Sequence, residues 1–337
     1  AKTLSVSPPA VSKAVKSLEE RIGRPLFVRN NRGVELTEAG RALYRATLSA
    51  MEGLEYGLVG AGLDLLETTV RVATLQQDAM SRNSTPRRNR NLEKKIAELV
   101  ALASDSPNSS LIRSIIRTAL DIGQDGLGRA EAKILARSMG ELAASFRVFA
   151  PYRHRRKVSL FGSARVLEDS PHYVLARDFA RHARNSGFMV ITGAGPGIMQ
   201  AGNEGAGRDT SFGVSIQLPF ESGANGVIAG DHKLAQFNYF FTRKLTFVKE
   251  TDALVFLPGG FGTLDECFEI LTLVQTGKSD LKPIIMLQPP GGGFWQAWRD
   301  FMLEQLVAPG YISRQDLSLL RIASDPEQAM AEIVGFY

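Results

Sequence analysis

The stretch Leu254-Val255-Phe256-Leu257-Pro258-Gly259-Gly260-Phe261-Gly262-Thr263-Leu264-Asp265-Glu266 constrains the fold more than any other part of the chain. Residues 254–257 form a short unbroken apolar run, which predicts a strand covered on both faces. Gly259, Gly260 and Gly262 let the backbone turn and approach a ligand closely. Thr263 offers a hydroxyl at the helix entry, where unpaired N–H groups and the helix dipole favour an anion. Phosphate is the natural occupant. Glu266 is expected on the first helical turn, facing the same space. The simpler alternative is a turn rich in glycine, followed by an acidic residue that complements the dipole. A second glycine turn upstream argues against it.

From Lys157 onward, strand and helix patterns alternate, which predicts an α/β fold with a Rossmann-like, doubly wound parallel sheet. Residues 158–161 read as a strand ending in Gly162-Ser163-Ala164-Arg165, and Tyr173, Ala176, Phe179 and Ala180 mark the following helix. Residues 188–191 are the next strand, ending in Thr192-Gly193-Ala194-Gly195-Pro196-Gly197-Ile198-Met199 and opening a helix with Asn203 and Glu204. This spacing is not GxGxxG, and no ribose-binding acid closes a following strand, so a dinucleotide cofactor is disfavoured. A third strand is expected at 212–218, leading to Pro219-Phe220-Glu221. Residues 238–247 read as a helix carrying Arg243 and Lys244. Adjacent helical residues point about 100° apart, so one cation faces ligand and the other a carboxylate or solvent.

The 337 residues are enough for two domains, and 44% hydrophobic with 22% charged is ordinary globular composition. A net charge of +5 permits nucleotide or nucleic-acid partners without requiring them. Cys267 is the single cysteine, and no Cys/His cluster has zinc spacing, so neither a disulfide nor a metal site is expected, and a reducing cytoplasm is. No apolar run has membrane-span length. The chain opens on Ala1, not methionine, which reads as a fragment.

Near the N-terminus, Ser7 reads as an N-cap followed by Pro8 and Pro9, and Val11, Val15, Leu18 and Ile22 form one helical face. Ser12, Lys13 and Lys16 lie off that face, where they can meet phosphates or base edges. Two short strands around Asn31-Arg32-Gly33 come next, and a helix opens at Thr37 and runs towards Leu66. The segment LSVSPPAVSKAVKSLEERIGRPLFVRNNRGVELTEAGRAL resembles the winged helix-turn-helix of LysR-type regulators. The resemblance implies a recognition helix at 7–22, a wing near Arg29 and Arg32, a dimerising helix after Thr37, and DNA as a partner. The family's first helix is missing, and Pro8 stands where a glutamine is usual. Val70-Arg71-Val72 looks like the start of a LysR effector domain that never arrives. Residues 80–91 are basic and polar, and read as a flexible linker, with Met80 as the start of a separate protein. Expected divisions are therefore 1–79, this linker, a helical extension over 92–156 packed on the next domain, and 157–337. Within the extension, Leu92, Ile96, Leu99 and Val100 mark one helix, Leu111, Ile112, Ile115 and Ile116 a second, and Ile134, Leu135 and Leu142 a third.

The pieces FGSAR, ITGAGPGIMQAGNEGA, LPFESGAN, FFTRKLTFVKETDALVFLPGGFGTLDE and LTLVQTGK resemble the LOG family of nucleotide-binding proteins over 157–337. The resemblance implies a dimer or higher homo-oligomer with sites near the interface. It also implies hydrolysis of the N-glycosidic bond of a nucleoside 5′-monophosphate, AMP or a cytokinin-type riboside monophosphate, to free base and ribose 5-phosphate. The family's catalytic positions fall on Arg243 and Glu266, and its phosphate positions on Gly259, Gly260, Gly262 and Thr263. Gly162, Ser163, Gly193, Gly195, Gly197, Met199, Lys244 and Pro258 join them as candidate nucleotide-binding residues. Such cleavage builds oxocarbenium-like charge on the ribose, which a carboxylate can stabilise while it orients water. Arg243 stays protonated and is a poor acid, but it can orient Glu266 or bind ribose and phosphate oxygens. No cofactor is expected, and no residue pattern supports the pyridoxal site that the name lysine decarboxylase, carried by some relatives, would need. Two alternatives stay open: a nucleotide or molybdenum-cofactor carrier, and a DNA-binding regulator that senses nucleotide. Base specificity is not legible.

Overall fold

The computed structural model describes residues 19–20, 23–30, 33–41, 86–102, 107–218 and 223–337. The chain divides into two compact units, residues 1–113 and 114–337. In the first, β1 (Phe27–Asn30) and β2 (Gly33–Leu36) pair antiparallel, with Phe27 opposite Leu36 and Asn30 opposite Gly33. The Glu19 carboxylate accepts the N–H groups of Leu26 and Phe27 at 2.7 and 3.2 Å. Thr37 Oγ1 accepts the Gly40 N–H at 3.0 Å, which caps the helix expected to open there. Arg29 sits on β1, whereas Ser12, Lys13, Lys16 and Arg32 lie outside the described residues.

Helix α1 (Pro86–Leu102) begins inside the stretch expected to be a linker. Its Lys94–Glu98 pair has the helix-supporting i,i+4 spacing, and Ile96 and Val100 are buried, so local pattern wins over the polar composition of 86–91. The boundary of that linker with the helical extension is corrected accordingly. Helix α2 (Ser109–Gln124) follows.

The second unit is built on helix α3 (Arg129–Phe149) and a sheet of seven parallel strands. In chain order these are β3 (Lys157–Phe161), α4 (Pro171–Asn185), β4 (Met189–Thr192), α5 (Ile198–Ala206), β5 (Ser211–Ile216), β6 (Leu234–Phe237), α6 (Phe240–Glu250), β7 (Ala253–Phe256), α7 (Phe261–Gln275), β8 (Ile284–Leu287), α8 (Phe294–Met302), β9 (Leu320–Ala323) and α9 (Pro326–Phe336). Lateral order is β6-β5-β4-β3-β7-β8-β9. Successive strands therefore run outward from β3 in one direction, and the chain then returns to β3 and runs outward in the other. The central strands β4 and β7 and their neighbour β8 are almost wholly apolar because helices cover both faces, whereas β6 and β9, at the two edges, carry Gln236 and Arg321. Alternate residues serve two cores: Val158, Leu160, Val190 and Val255 pack with α4, α5 and α9. Met189, Ile191, Leu254 and Phe256 pack with Phe149, Phe247, Ile270 and Trp295 on the other face.

Helix α3 inverts the expected burial. Ile134 and Leu135 are 43% and 45% exposed, and the helix instead buries Ser138, Ser145 and Phe149. The reason is a polar seam against α6. The Ser145 and Thr246 hydroxyls lie 3.2 Å apart, and the Glu141 carboxylate accepts the Asn238 N–H, the Asn238 amide and the Thr242 hydroxyl at 3.0, 2.9 and 2.6 Å. Burial would raise the Glu141 pKa, but these hydrogen bonds hold it below the usual range.

Candidate active site

The outward winding reverses between β3 and β7, which is where parallel sheets open a crevice at their carboxyl ends. Val158 faces Ala253 and Phe161 faces Phe256, so the two strands end level. The loops that leave them are stitched together. The Leu257 N–H donates to the Phe161 carbonyl at 2.8 Å, the Ser163 N–H to Pro258 O at 3.3 Å, and the Ile198 N–H to Ser163 O at 3.1 Å. The loop after β4 is held from beneath. Buried Asn203 accepts the Thr192 hydroxyl at 2.8 Å and the Asn225 amide at 3.0 Å, and Asn225 also donates to Gly195 O at 3.0 Å. Ala194 sits there at φ 64, a left-handed conformation that is unusual outside glycine.

These loops enclose a cleft of about 640 Å³. Of the expected residues, Gly162, Ser163, Gly193, Met199, Arg243, Gly260, Gly262, Thr263 and Glu266 line it. Gly195, Gly197, Pro258, Gly259 and Lys244 do not. Gly259 packs so closely on Thr263 that a Cβ would collide with its hydroxyl, and Gly197, at φ 65, lies against the Ser163 carbonyl. Their glycines serve loop-to-loop packing. Lys244 is drawn the other way, with Nζ 2.8 Å from both Asp265 and Glu269. Burial would lower its pKa, but the two carboxylates raise it, so this amine stays charged.

Helix α7 points its N-terminus into the cleft. Gly260 caps it without a side-chain hydrogen bond, and no acidic side chain stands in its first turn. A helix start leaves backbone N–H groups unsatisfied and carries partial positive charge. Glu266 is therefore in the second turn, not the first as expected, one turn deeper than the site for an anion. It is 9% exposed. Burial raises its pKa, Arg243 and Lys244 pull it back, and the result stays above the ordinary glutamate value.

Arg243 comes from α6, three residues inside its first turn. Its Nε donates to Val214 O at 2.9 Å, and Nη1 lies 3.9 Å from Glu266 Oε1. At that separation the two interact by charge, not as a close bidentate pair. Gly193 makes the placement possible, since a Cβ there would collide with Arg243 Nη2. Phe240, Phe261, Arg165 and Asp265 also line the cleft and had not been singled out from sequence. Glu141 was missed as well, because its bonds to the start of α6 span about a hundred residues of chain.

Residues 196–333 match the family described as "possible lysine decarboxylase", and residues 1–41 match "bacterial regulatory helix-turn-helix protein, lysR family". A bifunctional cytokinin biosynthesis protein of Fusarium pseudograminearum is 28% identical over 191 residues, 51% of this chain and 38% of that protein. The cytokinin riboside 5′-monophosphate phosphoribohydrolase LOG1 of Arabidopsis thaliana is 38% identical over 71 residues, 21% and 32% of the two chains. The HTH-type transcriptional regulator BudR of Klebsiella aerogenes is 46% identical over 70 residues, 18% of this chain and 49% of that protein. The chain spans less than half the length of these relatives. No described helix is long and apolar enough to cross a membrane. On its Rossmann-like sheet the chain thus carries a segment that matches this family model and is similar to LOG proteins, and at its N-terminus a segment that matches the LysR-type helix-turn-helix model.

Proposed function

We propose that the LOG-family domain is a nucleoside 5′-monophosphate phosphoribohydrolase. The observation that carries this reading is the buried carboxylate of Glu266 one turn below an uncapped helix N-terminus in the same cleft. The 5′-phosphate would accept N–H groups from the start of α7, which fixes the sugar and supplies binding energy away from the bond that breaks. Glu266 would then face C1′ of the ribose. As the glycosidic bond breaks, its electron pair leaves with the base nitrogen, and the ribose becomes cationic beside the carboxylate. Water adds to C1′ with Glu266 taking its proton, and that proton passes to the departing base or to solvent. Arg243 would hold ribose or phosphate oxygens and keep Glu266 ionised.

The name of the matched family, possible lysine decarboxylase, implies a different chemistry. No lysine lines the cleft among the described residues, and nearby Lys244 is held charged by two carboxylates, a poor amine for Schiff-base work. Incubation with a panel of nucleoside monophosphates and the matching 5′-hydroxyl nucleosides tests the reading. Ribose 5-phosphate should form from the monophosphates, with little base released from the nucleosides. Tight binding without cleavage would support a carrier instead.

The acidic limb of kcat/KM should follow Glu266 ionisation. Because its pKa is raised, activity should fall at a pH above the ordinary glutamate value. A limb at or below that value would detach the rate from this carboxylate.

Two partners complete the proposal. The helix-turn-helix segment supports DNA as one of them. Binding should be weak and steeply salt-dependent, since phosphate contacts persist where base reading is impaired by Pro8. A sequence-selective footprint at physiological salt would contradict this. A second copy of the chain is the other, supported by Phe241 and Leu245, left exposed on α6. Sedimentation as a monomer at micromolar concentration would remove it.

A further inference from the structure

Two phenylalanines stand in the cleft wall with their rings in solvent. Phe261, the first residue of α7, is 94% exposed, and Phe240, the first residue of α6, is 50% exposed. Both line the same cleft as Arg243 and Glu266. Phe240 shares a helix face with Arg243 three residues on, and Phe261 directly precedes Gly262, where a Cβ would meet nothing within 4 Å. Neighbouring Phe241, by contrast, stacks on Tyr239 with ring centroids 5.5 Å apart and does not line the cleft.

The polar lining lacks the side chains that read an adenine edge, and its Asp265 is already paired with Lys244. Asparagine and glutamine, which pair bidentately with adenine, are absent from the described residues that line the cleft. Aromatic rings, however, hold any base by its face. Resting on the proposed phosphate and ribose positions, we infer that the substrate's base is held by stacking on Phe261 and Phe240, so that the cleft selects purines by ring area and tolerates changes at the base edge. The two rings enter from the N-termini of the two helices that also supply the anion site, Arg243 and Glu266. Base, sugar and phosphate are thereby held by neighbouring turns of one scaffold.

The test uses the full chain carrying Glu266→Gln, so that monophosphates persist during the measurement. Calorimetric affinities for AMP, GMP, UMP and ribose 5-phosphate are compared in this background and after adding Phe261→Ala, Phe240→Ala or Phe261→Tyr. Each alanine should weaken AMP and GMP by about tenfold or more while leaving ribose 5-phosphate within about twofold, and tyrosine should restore AMP binding. AMP and GMP should bind alike, and both tighter than UMP. Equal losses for AMP and ribose 5-phosphate, or no loss, would overturn the inference. So would an alanine variant that splits an oligomer without changing the ratio of AMP to ribose 5-phosphate affinity, since the ring would then belong to a subunit contact. Absence of any AMP binding would overturn it together with the hydrolase reading. If the base-dependent losses appear while the parent chain forms no ribose 5-phosphate, the hydrolase reading fails and the stacking stands.

Discussion

Replacing Glu266 with glutamine should reduce turnover by at least ~10²-fold while changing nucleotide binding little, the pattern of a lost transition-state interaction. Glutamine keeps the shape and a hydrogen-bonding carbonyl, but removes the charge that faces the developing cation. The same substitution should not lower the melting temperature at neutral pH. A carboxylate whose folded pKa is raised destabilises the folded state once it ionises, because ionisation is easier in the unfolded chain. Below the ordinary glutamate value both states are protonated, and variant and parent should melt alike. As pH rises through the window up to the raised value, the parent loses this contribution and the glutamine variant does not. The variant's advantage should therefore grow across that window. Comparable turnover in the purified variant would remove Glu266 from the chemistry, and a large fall in stability would give it a structural role.

The second large effect is expected at Gly262. It lies in the first turn of α7, has no positive φ, and a Cβ placed on it would meet no atom within 4 Å. Neither backbone conformation nor packing within the chain calls for glycine at this position. The open space is in the cleft, above the N–H groups that would hold phosphate. Gly262→Ala should therefore fold normally, and gain up to about 1 kcal/mol from the better helix former. Monophosphate affinity should nevertheless fall by about tenfold or more, since the hydrogen bonds to a charged phosphate contribute roughly 1.5–3 kcal/mol each and depend on close approach. Calorimetry and thermal melting on the same preparation separate the two signs. An alanine variant that binds AMP as the parent does would move the phosphate away from this turn.

Much of this site was legible because parallel strands buried on both faces read as apolar runs, and glycine turns follow them. Residues 158–161 and 254–257 announced β3 and β7 in this way, and their loops frame the cleft. The division of labour between Arg243 and Lys244 followed from helical geometry: Arg243 lines the cleft, and Lys244, which does not, is held by Asp265 and Glu269. Strands β6, β8 and β9 were not read. β6 and β9 are four residues each and interrupted by Gln236 or Arg321, while β8 is a four-residue apolar run whose turn signal, Pro289-Pro290-Gly291-Gly292-Gly293, lies outside the motifs that drew attention. The outward face of α3 was also hidden, because apolar periodicity tells which residues share a face and not which way that face points. At Ile134 and Leu135, the hydrogen bonds of Glu141 and Ser145 to α6 decided the direction. The exposed rings of Phe240 and Phe261 belonged to motifs already noted, but nothing in a linear pattern shows that two helix starts meet at one cleft.

The central claim is that this cleft cuts a glycosidic bond beneath an anchored phosphate. A single-turnover incubation with AMP, at enzyme in excess over nucleotide, addresses it most directly. Adenine and ribose 5-phosphate should appear together in equal amounts, with the phosphate ester intact and with both products lost in Glu266→Gln. Release of inorganic phosphate, or AMP recovered unchanged from a saturated complex, would contradict the account.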